Sequence, residues 1–275
     1  MPAMKLTVLG CSGSVPGPDS PASGYLLTAP GAPPLVLDLG GGSFGALQAH
    51  VDPAAPTVLL SHLHADHCLD VTGLVVWRRH HPSPPAGRST VYAPAGAAHR
   101  LGAAGAEQGG EVDDVCDVLD VREWDTGHQL RIGSWRVRVA RVEHPCEAYG
   151  MRITDQAGAT LVYTGDTGAC DAVLELARDA DVLLAEASWT HAPGRPVGVH
   201  LSGTQAGALA RDAGVGRLLL THIPPWTSVK AVAAEAAAEF DGPVHAVRAR
   251  EVHDLSPVDT PERADGPAAA PRGST

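Results

Sequence analysis

The segment Ser61–His67, with the sequence Ser-His-Leu-His-Ala-Asp-His, limits the possible folds of this chain more than any other feature. It follows a short apolar run, Thr57–Leu60, that is typical of a buried strand, and it precedes Asp70–His81, whose pattern predicts a helix. Four side chains that commonly bind metals therefore occur within six residues of a strand end. A lone His-x-His pair would be weak evidence, but this arrangement is a specific signal.

These four side chains fit two metal ions. His62 and His64 alternate, so an extended backbone points both to the same side, whereas Asp66 and His67 lie at a turn and can diverge toward a second ion. Imidazole and carboxylate ligands suit zinc, iron and manganese. The alternative, a solvated histidine cluster without function, is disfavoured by the position at a strand end.

Three further candidate ligands also follow predicted strands. Any one of them would more often be a structural residue than a ligand, but their common placement favours a single rim. They are His144 after Arg136–Val142, Asp166 after Thr160–Tyr163, and His222 after Arg217–Leu220.

The order of apolar runs and helical patterns predicts one α/β domain, residues 1–255, with two β-sheets face to face and helices outside. The tail, 256–275, contains Pro, Ala, Gly and charge without periodicity and is predicted to be disordered. The other predicted strands are Lys5–Leu9, Tyr25–Thr28, Leu35–Leu39, Thr90–Ala93, Gln129–Ile132, Met151–Thr154, Val182–Leu184 and, as the last, Val244–Val247. The other predicted helices are Ser43–His50, Ala95–Ala106, Cys170–Arg178, Thr204–Ala213 and Val229–Phe240.

Charge and composition exclude some partners. The formal net charge is −11 and the Arg residues are scattered, which argues against a long nucleic acid as partner. No apolar run is long enough to span a bilayer and the N-terminus lacks a secretory pattern, so we expect a cytoplasmic protein without a membrane partner. The five cysteines show no CxxC and predict no disulfide framework; Cys68 and Cys146, near proposed ligands, are interpreted as small buried hydrophobes.

The series HxHxDH, His, Asp, His resembles the metallo-β-lactamase superfamily from Lys5 to about Leu255. The resemblance implies an αββα sandwich of two mixed β-sheets and two divalent metal ions, zinc being expected and manganese or iron being alternatives. It implies that His62, His64 and His144 bind the first ion. It implies that Asp66, His67 and His222 bind the second, with Asp166 bridging the two.

Further motifs narrow the branch of the superfamily. Glu186-Ala187-Ser188 is similar to the acidic motif of the ribonuclease Z group, and His200-Leu201-Ser202-Gly203-Thr204 to its His-Ser-Thr motif with extra residues inserted. The runs GCSGSVPGPDSPASGYLL, LSHLHADHCLD, GDTG and LLLTHIPPWTS resemble actinobacterial metallo-β-lactamase-fold cyclic-nucleotide phosphodiesterases. The yeast-type phosphodiesterase class usually has Leu at the position of Ala65, so the chain is not assigned to it.

This resemblance predicts hydrolysis of 3′,5′-cyclic nucleotides, cyclic AMP and also cyclic GMP, to 5′-nucleotides. Hydroxide shared by the two cations would attack phosphorus, with Asp66 orienting it and taking its remaining proton. His200 is the candidate acid for the ribose leaving group, and Glu186 would keep it protonated. A plain loop histidine and a local cap are the respective alternatives.

Other residues have two open interpretations each. Ser202 is a candidate substrate contact or, preferably, a helix N-cap. Trp189 and Trp226 could stack on a base or pack in the core. Asp38 and Thr164 could orient metal-binding side chains, or be a surface aspartate and a strand terminator.

Three other functions stay open at this point: a ribonuclease Z-like tRNA 3′-processing nuclease, a hydrolase of thioesters or lactones, and a non-catalytic metal- or nucleotide-binding protein. The nuclease needs a basic arm, and neither Pro82–Pro85 nor Gly102–Gly110 is basic. The sequence does not determine the metal, the base preference or the choice between 3′,5′- and 2′,3′-cyclic substrates. A homodimer is expected only by analogy.

Overall fold

The computed structural model describes residues 4–126 and 129–255, so the predicted disordered tail lies outside the described residues. The strands are β1 (Lys5–Gly10), β2 (Gly24–Thr28), β3 (Leu35–Leu39), β4 (Thr57–Leu59), β5 (Ser89–Ala93), β6 (Leu119–Glu123), β7 (Leu130–Ile132), β8 (Trp135–Arg141), β9 (Tyr149–Thr154), β10 (Thr160–Tyr163), β11 (Val182–Glu186), β12 (Arg217–Thr221), β13 (Val244–Ala246) and β14 (Val252–Asp254). The helices are α1 (Ser43–Leu47), α2 (Ala65–Cys68), α3 (Val71–His80), α4 (Ala97–Gly105), α5 (Asp171–Ala177), α6 (Gly203–Ala213) and α7 (Val229–Glu239), with a 3₁₀ turn at Val115–Asp117.

The strands form two seven-stranded mixed sheets. The first has the order β14-β1-β2-β3-β4-β5-β6 and the second the order β13-β12-β11-β10-β9-β8-β7. Central strands such as β3 and β11 are buried along their whole length, which explains why their sequences are apolar without alternation apart from Asp38 and Glu186. β8 instead alternates buried and more exposed residues, as expected of a strand with one solvated face.

Three apolar clusters hold the layers together. The first lies between the two sheets and contains Trp135, Tyr25 and Tyr163, all nearly inaccessible to solvent. The second packs α5, α6 and α7 on the outer face of the second sheet, and the third packs α1, α3 and α4 on the outer face of the first. The predicted αββα sandwich is therefore confirmed.

Several element predictions need correction. Two strands, β6 and β14, were not predicted, so Val244–Val247 is not the last strand of the chain. The predicted helix Ser43–His50 ends at Leu47, and the segment after the His-rich motif contains a short separate helix, α2, before α3. No helix among residues 4–126 and 129–255 has the length and hydropathy needed to cross a membrane.

The topology brings several strand ends to one edge of the sandwich. β3 and β4 run parallel, and β10, β11 and β12 run parallel in the facing sheet. β8 shares the direction of β10 because both pair antiparallel with β9. The loops after β4, β8, β10 and β12 carry the proposed ligands, so the fold places them on a common rim.

Candidate metal centre

In the motif after β4, a change of backbone conformation separates the first two candidate ligands from the last two. His62 lies in the loop after β4, and His64 is the extended N-cap of α2, with φ −68° and ψ 151°. Asp66 and His67 then lie inside α2, which turns them away from the preceding pair. Gly40 permits this turn, because a Cβ atom there would collide with the backbone carbonyl of Asp66.

One group of converging side chains contains three histidines. His62 Nε2 lies 3.0 Å from His64 Nδ1, and His144 Nε2 lies 3.3 Å from the same atom. The sulfur of Cys146 joins this group, with all four potential ligand atoms within 4.8 Å of one another. His62 is fully buried and His64 is exposed, so the group opens toward solvent on one side.

A second group contains the remaining predicted ligands. Asp66 Oδ2 lies 3.1 Å from His222 Nε2 and 3.4 Å from His67 Nε2. Asp166 Oδ1 lies 3.2 Å from His67 Nε2, and Asp166 Oδ2 lies 3.7 Å from His62 Nε2 in the first group. Asp166 therefore stands between the two groups. We refer to the following seven residues as the central cluster: His62, His64, Asp66, His67, His144, Asp166 and His222.

Two atoms of the central cluster show that a divalent cation fits here. His67 Nε2 and Asp166 Oδ1 are buried and have no hydrogen-bond partner among the described residues. Unsatisfied polar atoms of this kind are costly in a folded protein unless another group completes them. Together with the converging imidazoles and carboxylates, they form a donor set suited to divalent metals.

Each of four histidines has its Nδ1 atom fixed by a partner, so that Nε2 faces the cluster. His62 Nδ1 lies 3.0 Å from Ser61 Oγ, and Ser61 Oγ donates to Asp38 at 2.7 Å. His67 Nδ1 lies 2.8 Å from Asp38 Oδ2, which also accepts a hydrogen bond from Tyr163 at 2.7 Å. Asp38 is thus fully buried and orients two of the candidate metal ligands.

The facing sheet fixes the other two histidines in the same way. His144 Nδ1 lies 2.8 Å from the carbonyl of Val199, and His222 Nδ1 lies 2.9 Å from Ser188 Oγ. Ser188 in turn donates to Glu186 at 3.0 Å. His222 adopts the left-handed conformation, with φ 54°, which is uncommon for a non-glycine residue.

Electrostatics favour the ligand forms of most of these groups, with His67 as the exception. Burial lowers the pKa of His62 and of His144, which keeps both imidazoles neutral. Burial alone would raise the pKa of Asp66, but the hydrogen bond from His222 and the nearby His67 imidazole hold the pKa well below the usual range. Burial also opposes a charge on His67, yet the neighbouring carboxylates Asp166 and Asp38 raise its pKa; a cation can occupy the place of that proton.

His200 and Glu186 form a pair directly beside the central cluster. His200 Nδ1 lies 2.9 Å from Glu186 Oε1 and 3.8 Å from Asp166 Oδ2. Burial opposes protonation of His200, but the charge and hydrogen bond of Glu186 outweigh it and raise the pKa of His200 to about 9. Glu186 is fully buried at the end of β11, and its Oε1 also accepts from the Thr167 backbone at 2.9 Å.

A cavity of about 360 Å³ opens beside His200. Trp189 lies edge-on to His200 with ring centroids 5.2 Å apart, and the Arg195 guanidinium lies over Trp189 at 5.3 Å. Trp226 also lines the cavity and is 70% exposed, so it is not a core residue. Ser14, Thr190 and residues 224 and 227–228 complete the lining with Ser188.

Two predicted residues are not brought to the cavity or the cluster. Ser202 is buried and caps α6: its Oγ accepts from Gln205 N at 3.2 Å in a complete capping box. Thr164 Oγ1 accepts from the Glu186 backbone at 3.0 Å and donates to the Gly165 carbonyl, so it joins strand ends rather than orienting a ligand. The substrate-contact role of Ser202 is therefore replaced by the capping role that was preferred for it.

Sequence reasoning missed some residues of the site. Ser61 directly precedes His62 and Ser188 lies two residues after Glu186, signals that are available in the sequence but too common to be specific. Tyr163 and Arg195 reach the site only through tertiary folding. Cys146, interpreted as a buried hydrophobe, is half-buried with its sulfur among three imidazoles.

Comparisons with known proteins agree with this geometry. Residues 42–223 match the family model described as the beta-lactamase superfamily domain. An uncharacterized protein of Mycobacterium bovis (strain ATCC BAA-935 / AF2122/97) is 59% identical over 253 residues, covering 92% of this chain and 93% of the relative. Ribonuclease Z of Mycobacterium bovis (strain BCG / Pasteur 1173P2) is 29% identical over 282 residues, covering 91% and 99%.

One relative is known both in sequence and in structure. The probable metallo-hydrolase YhfI of Bacillus subtilis is 30% identical over 253 residues, covering 88% of this chain and 96% of the relative. Its crystal structure, described as a metallo-beta-lactamase fold protein, superposes with a TM-score of 0.80 at 26% identity, covering 91% of this chain and 99% of that one. The chain therefore belongs to the metallo-β-lactamase superfamily, as a metallo-hydrolase.

Proposed function

We propose that this metallo-hydrolase is a phosphodiesterase that converts 3′,5′-cyclic nucleotides, cyclic AMP among them, to 5′-nucleotides. The observation that carries the proposal is the His200–Glu186 pair, 2.9 Å apart, which stands between the central cluster and the cavity. A ribose alkoxide is a poor leaving group and needs a proton donor. An imidazolium at this position supplies that proton.

The chain's residues divide the reaction between them. Two divalent cations bound by the central cluster would supply Lewis-acid activation of water and neutralisation of the phosphoryl oxygens. Asp66, held ionised by His222 and His67, orients the attacking water and takes its proton. As the oxygen–phosphorus bond forms, the bond from phosphorus to O3′ breaks, and His200 delivers a proton to O3′. The product keeps its phosphate on O5′.

The cavity supports a small substrate. A volume of about 360 Å³ lies at the small end of ligand sites and suits one nucleotide rather than a polymer. Trp189 and Trp226 offer aromatic faces on which any base can stack. The Arg195 guanidinium adds a fixed donor array near the same opening.

Two observations disfavour precursor tRNA as the substrate. The segment between α4 and the 3₁₀ turn, residues 106–114, contains four acidic residues and no basic one, the opposite of an RNA-binding arm. In addition, Mycobacterium bovis is represented both by a 59% identical relative and by a separate ribonuclease Z at 29% identity. The nearer relative is thus distinct from that ribonuclease.

A substrate screen tests the proposal. Enzyme loaded with zinc or manganese is incubated with 3′,5′-cyclic AMP, 3′,5′-cyclic GMP, 2′,3′-cyclic AMP, bis(p-nitrophenyl) phosphate and a precursor tRNA. We expect 5′-AMP from 3′,5′-cyclic AMP by chromatography and no product with Asp66→Ala. Cleavage of the precursor tRNA without turnover of any cyclic nucleotide would overturn the proposal in favour of ribonuclease Z activity.

A further inference from the structure

A second group of converging histidine and carboxylate side chains lies away from the central cluster. It contains His245 on β13, Glu251 in the following loop and His253 on β14, and we call it the peripheral cluster. His245 Nε2 lies 2.8 Å from Glu251 Oε2, and His253 Nε2 lies 3.1 Å from the same oxygen. The two rings are 5.4 Å apart.

The 3.1 Å separation of His253 Nε2 from Glu251 Oε2 matches the central cluster, whereas the 2.8 Å separation of His245 Nε2 is shorter. In the central cluster, paired Nε2 and carboxylate oxygens are 3.1 to 3.4 Å apart, as for His222 with Asp66 and His67 with Asp66. Ring separations of 5.0 and 5.1 Å are likewise close to the peripheral value. Donors that share one zinc ion at about 2.0–2.2 Å must lie roughly 3 to 3.5 Å from each other.

The hydrogen-bond count at Glu251 adds an independent argument. Its Oε2 is approached by His245 Nε2 at 2.8 Å, His253 Nε2 at 3.1 Å and the backbone N–H of Arg248 at 3.0 Å. A carboxylate oxygen presents two lone pairs, so three N–H groups at these distances would have to share them. A cation between the two imidazoles and Oε2 would occupy one lone pair and leave the other for Arg248.

We propose that the peripheral cluster is a structural site for one divalent cation of the zinc class. It stands independently of the catalytic proposal. Both histidines lie on edge strands, β13 of the second sheet and β14 of the first. The backbone carbonyl of Glu251 also accepts from Val8 of β1 at 2.9 Å, so the ion ties the open edges of the two sheets together.

The environment suits such an ion. The side chains of His245, Glu251 and His253 are 48%, 29% and 15% exposed, so water can enter and complete a four-coordinate shell. Imidazole and carboxylate together favour zinc over calcium or magnesium.

Zinc content measured on the full chain tests the proposal. Wild type, His245→Asn and the matched control His50→Asn, an exposed histidine outside the converging groups, are loaded with ZnCl₂, desalted and analysed by plasma mass spectrometry. We expect wild type and His50→Asn to hold one more zinc ion per chain than His245→Asn. Equal zinc content in all three would overturn the proposal, whatever the state of the central cluster.

A measurement on the wild-type protein alone avoids the case in which a variant loses zinc because it misfolds. Crystals of wild-type protein grown with ZnCl₂ and measured at the zinc edge should show an anomalous peak about 2.0–2.2 Å from the three donor atoms. Peaks confined to the central cluster would contradict the peripheral site. The central and peripheral positions are therefore read separately, and failure of the proposed phosphodiesterase activity would not affect either result.

Discussion

The central and peripheral clusters use the same side-chain types but differ in their support. In the central cluster, His62, His67, His144 and His222 each have Nδ1 fixed by a buried or backbone partner. In the peripheral cluster, the hydrogen bonds of His245 and His253 within the described part of the chain join Nε2 to one partly exposed carboxylate. Donor convergence is therefore common to both, whereas preorganisation belongs to the centre. Catalysis requires side chains that are held in a fixed orientation in addition to donors that converge.

The largest effect should come from replacing the central carboxylate. Asp66→Ala removes a ligand and the proton acceptor together, so kcat should fall by at least ~10³-fold. Glu251→Gln, the peripheral counterpart, should leave kcat unchanged. Steady-state rates with 3′,5′-cyclic AMP measure both variants. A comparable loss of rate in the two variants would remove the functional distinction between the clusters.

Next in size is His200→Gln, which tests the acid beside the centre. Loss of general-acid catalysis should lower kcat for 3′,5′-cyclic AMP by roughly 10²–10⁴-fold. Bis(p-nitrophenyl) phosphate should lose far less, because p-nitrophenolate leaves without protonation. His99→Gln, an exposed histidine of α4, is the matched control. Equal losses on the two substrates would indicate a structural role for His200.

The same variant predicts a change in the pH profile. An acid catalyst acts only while it is protonated, and it loses its proton as the pH rises through its pKa. Because the pKa of His200 is raised, wild-type activity should fall on the alkaline side. Glu186 raises the pKa of His200 to about 9, and bound cations lower it again, so the midpoint should lie at or below about 9. His200→Gln should lack this alkaline limb in kcat against pH.

A smaller effect is expected from the support beneath the centre. Asp38→Asn keeps the shape but cannot hold His67 and Ser61 as a carboxylate does, so metal affinity should fall about 10–100-fold. Competition with a chromophoric chelator measures the affinity, and the exposed Asp52→Asn is the control. Unchanged affinity would mean that convergence alone, as at the periphery, suffices for tight binding.

The smallest effect concerns the peripheral site. Removing zinc from it by His245→Asn should cost about 1 kcal/mol of stability, which lowers Tm by roughly 2–4 °C for a chain of this size. The difference should disappear when both proteins are measured in excess chelator. A Tm difference that persists without zinc would attribute the effect to hydrogen bonds instead.

The sequence predicted the centre better than the periphery for a physical reason. His62 to His67 lie within one strand-turn segment, and the other central residues follow apolar strands, so local patterns place them on a rim. The peripheral residues depend on β14, a strand of three residues that is too short for an apolar–polar alternation to be recognised in the sequence. β6 was missed similarly, because its end is exposed and charged.

Contacts between the sheets could not be predicted from local patterns either. Asp38 could be assigned only as one of two possibilities, because its burial depends on the opposite sheet. In the sequence Tyr163 is an ordinary strand residue. Only the packing of the two sheets brings its hydroxyl to Asp38, to which it donates a hydrogen bond. The strand ends are thus encoded locally, whereas the partners that fix each imidazole are products of tertiary packing.

The position of Asp38 links ion retention to the integrity of the whole sandwich. Its carboxylate receives His67 and Ser61 from one layer and Tyr163 from the other, so neither layer alone can assemble the cage. During denaturant titration, release of the ions should coincide with separation of the layers. Metals bound in the central cluster would therefore report when the two halves of the molecule come apart.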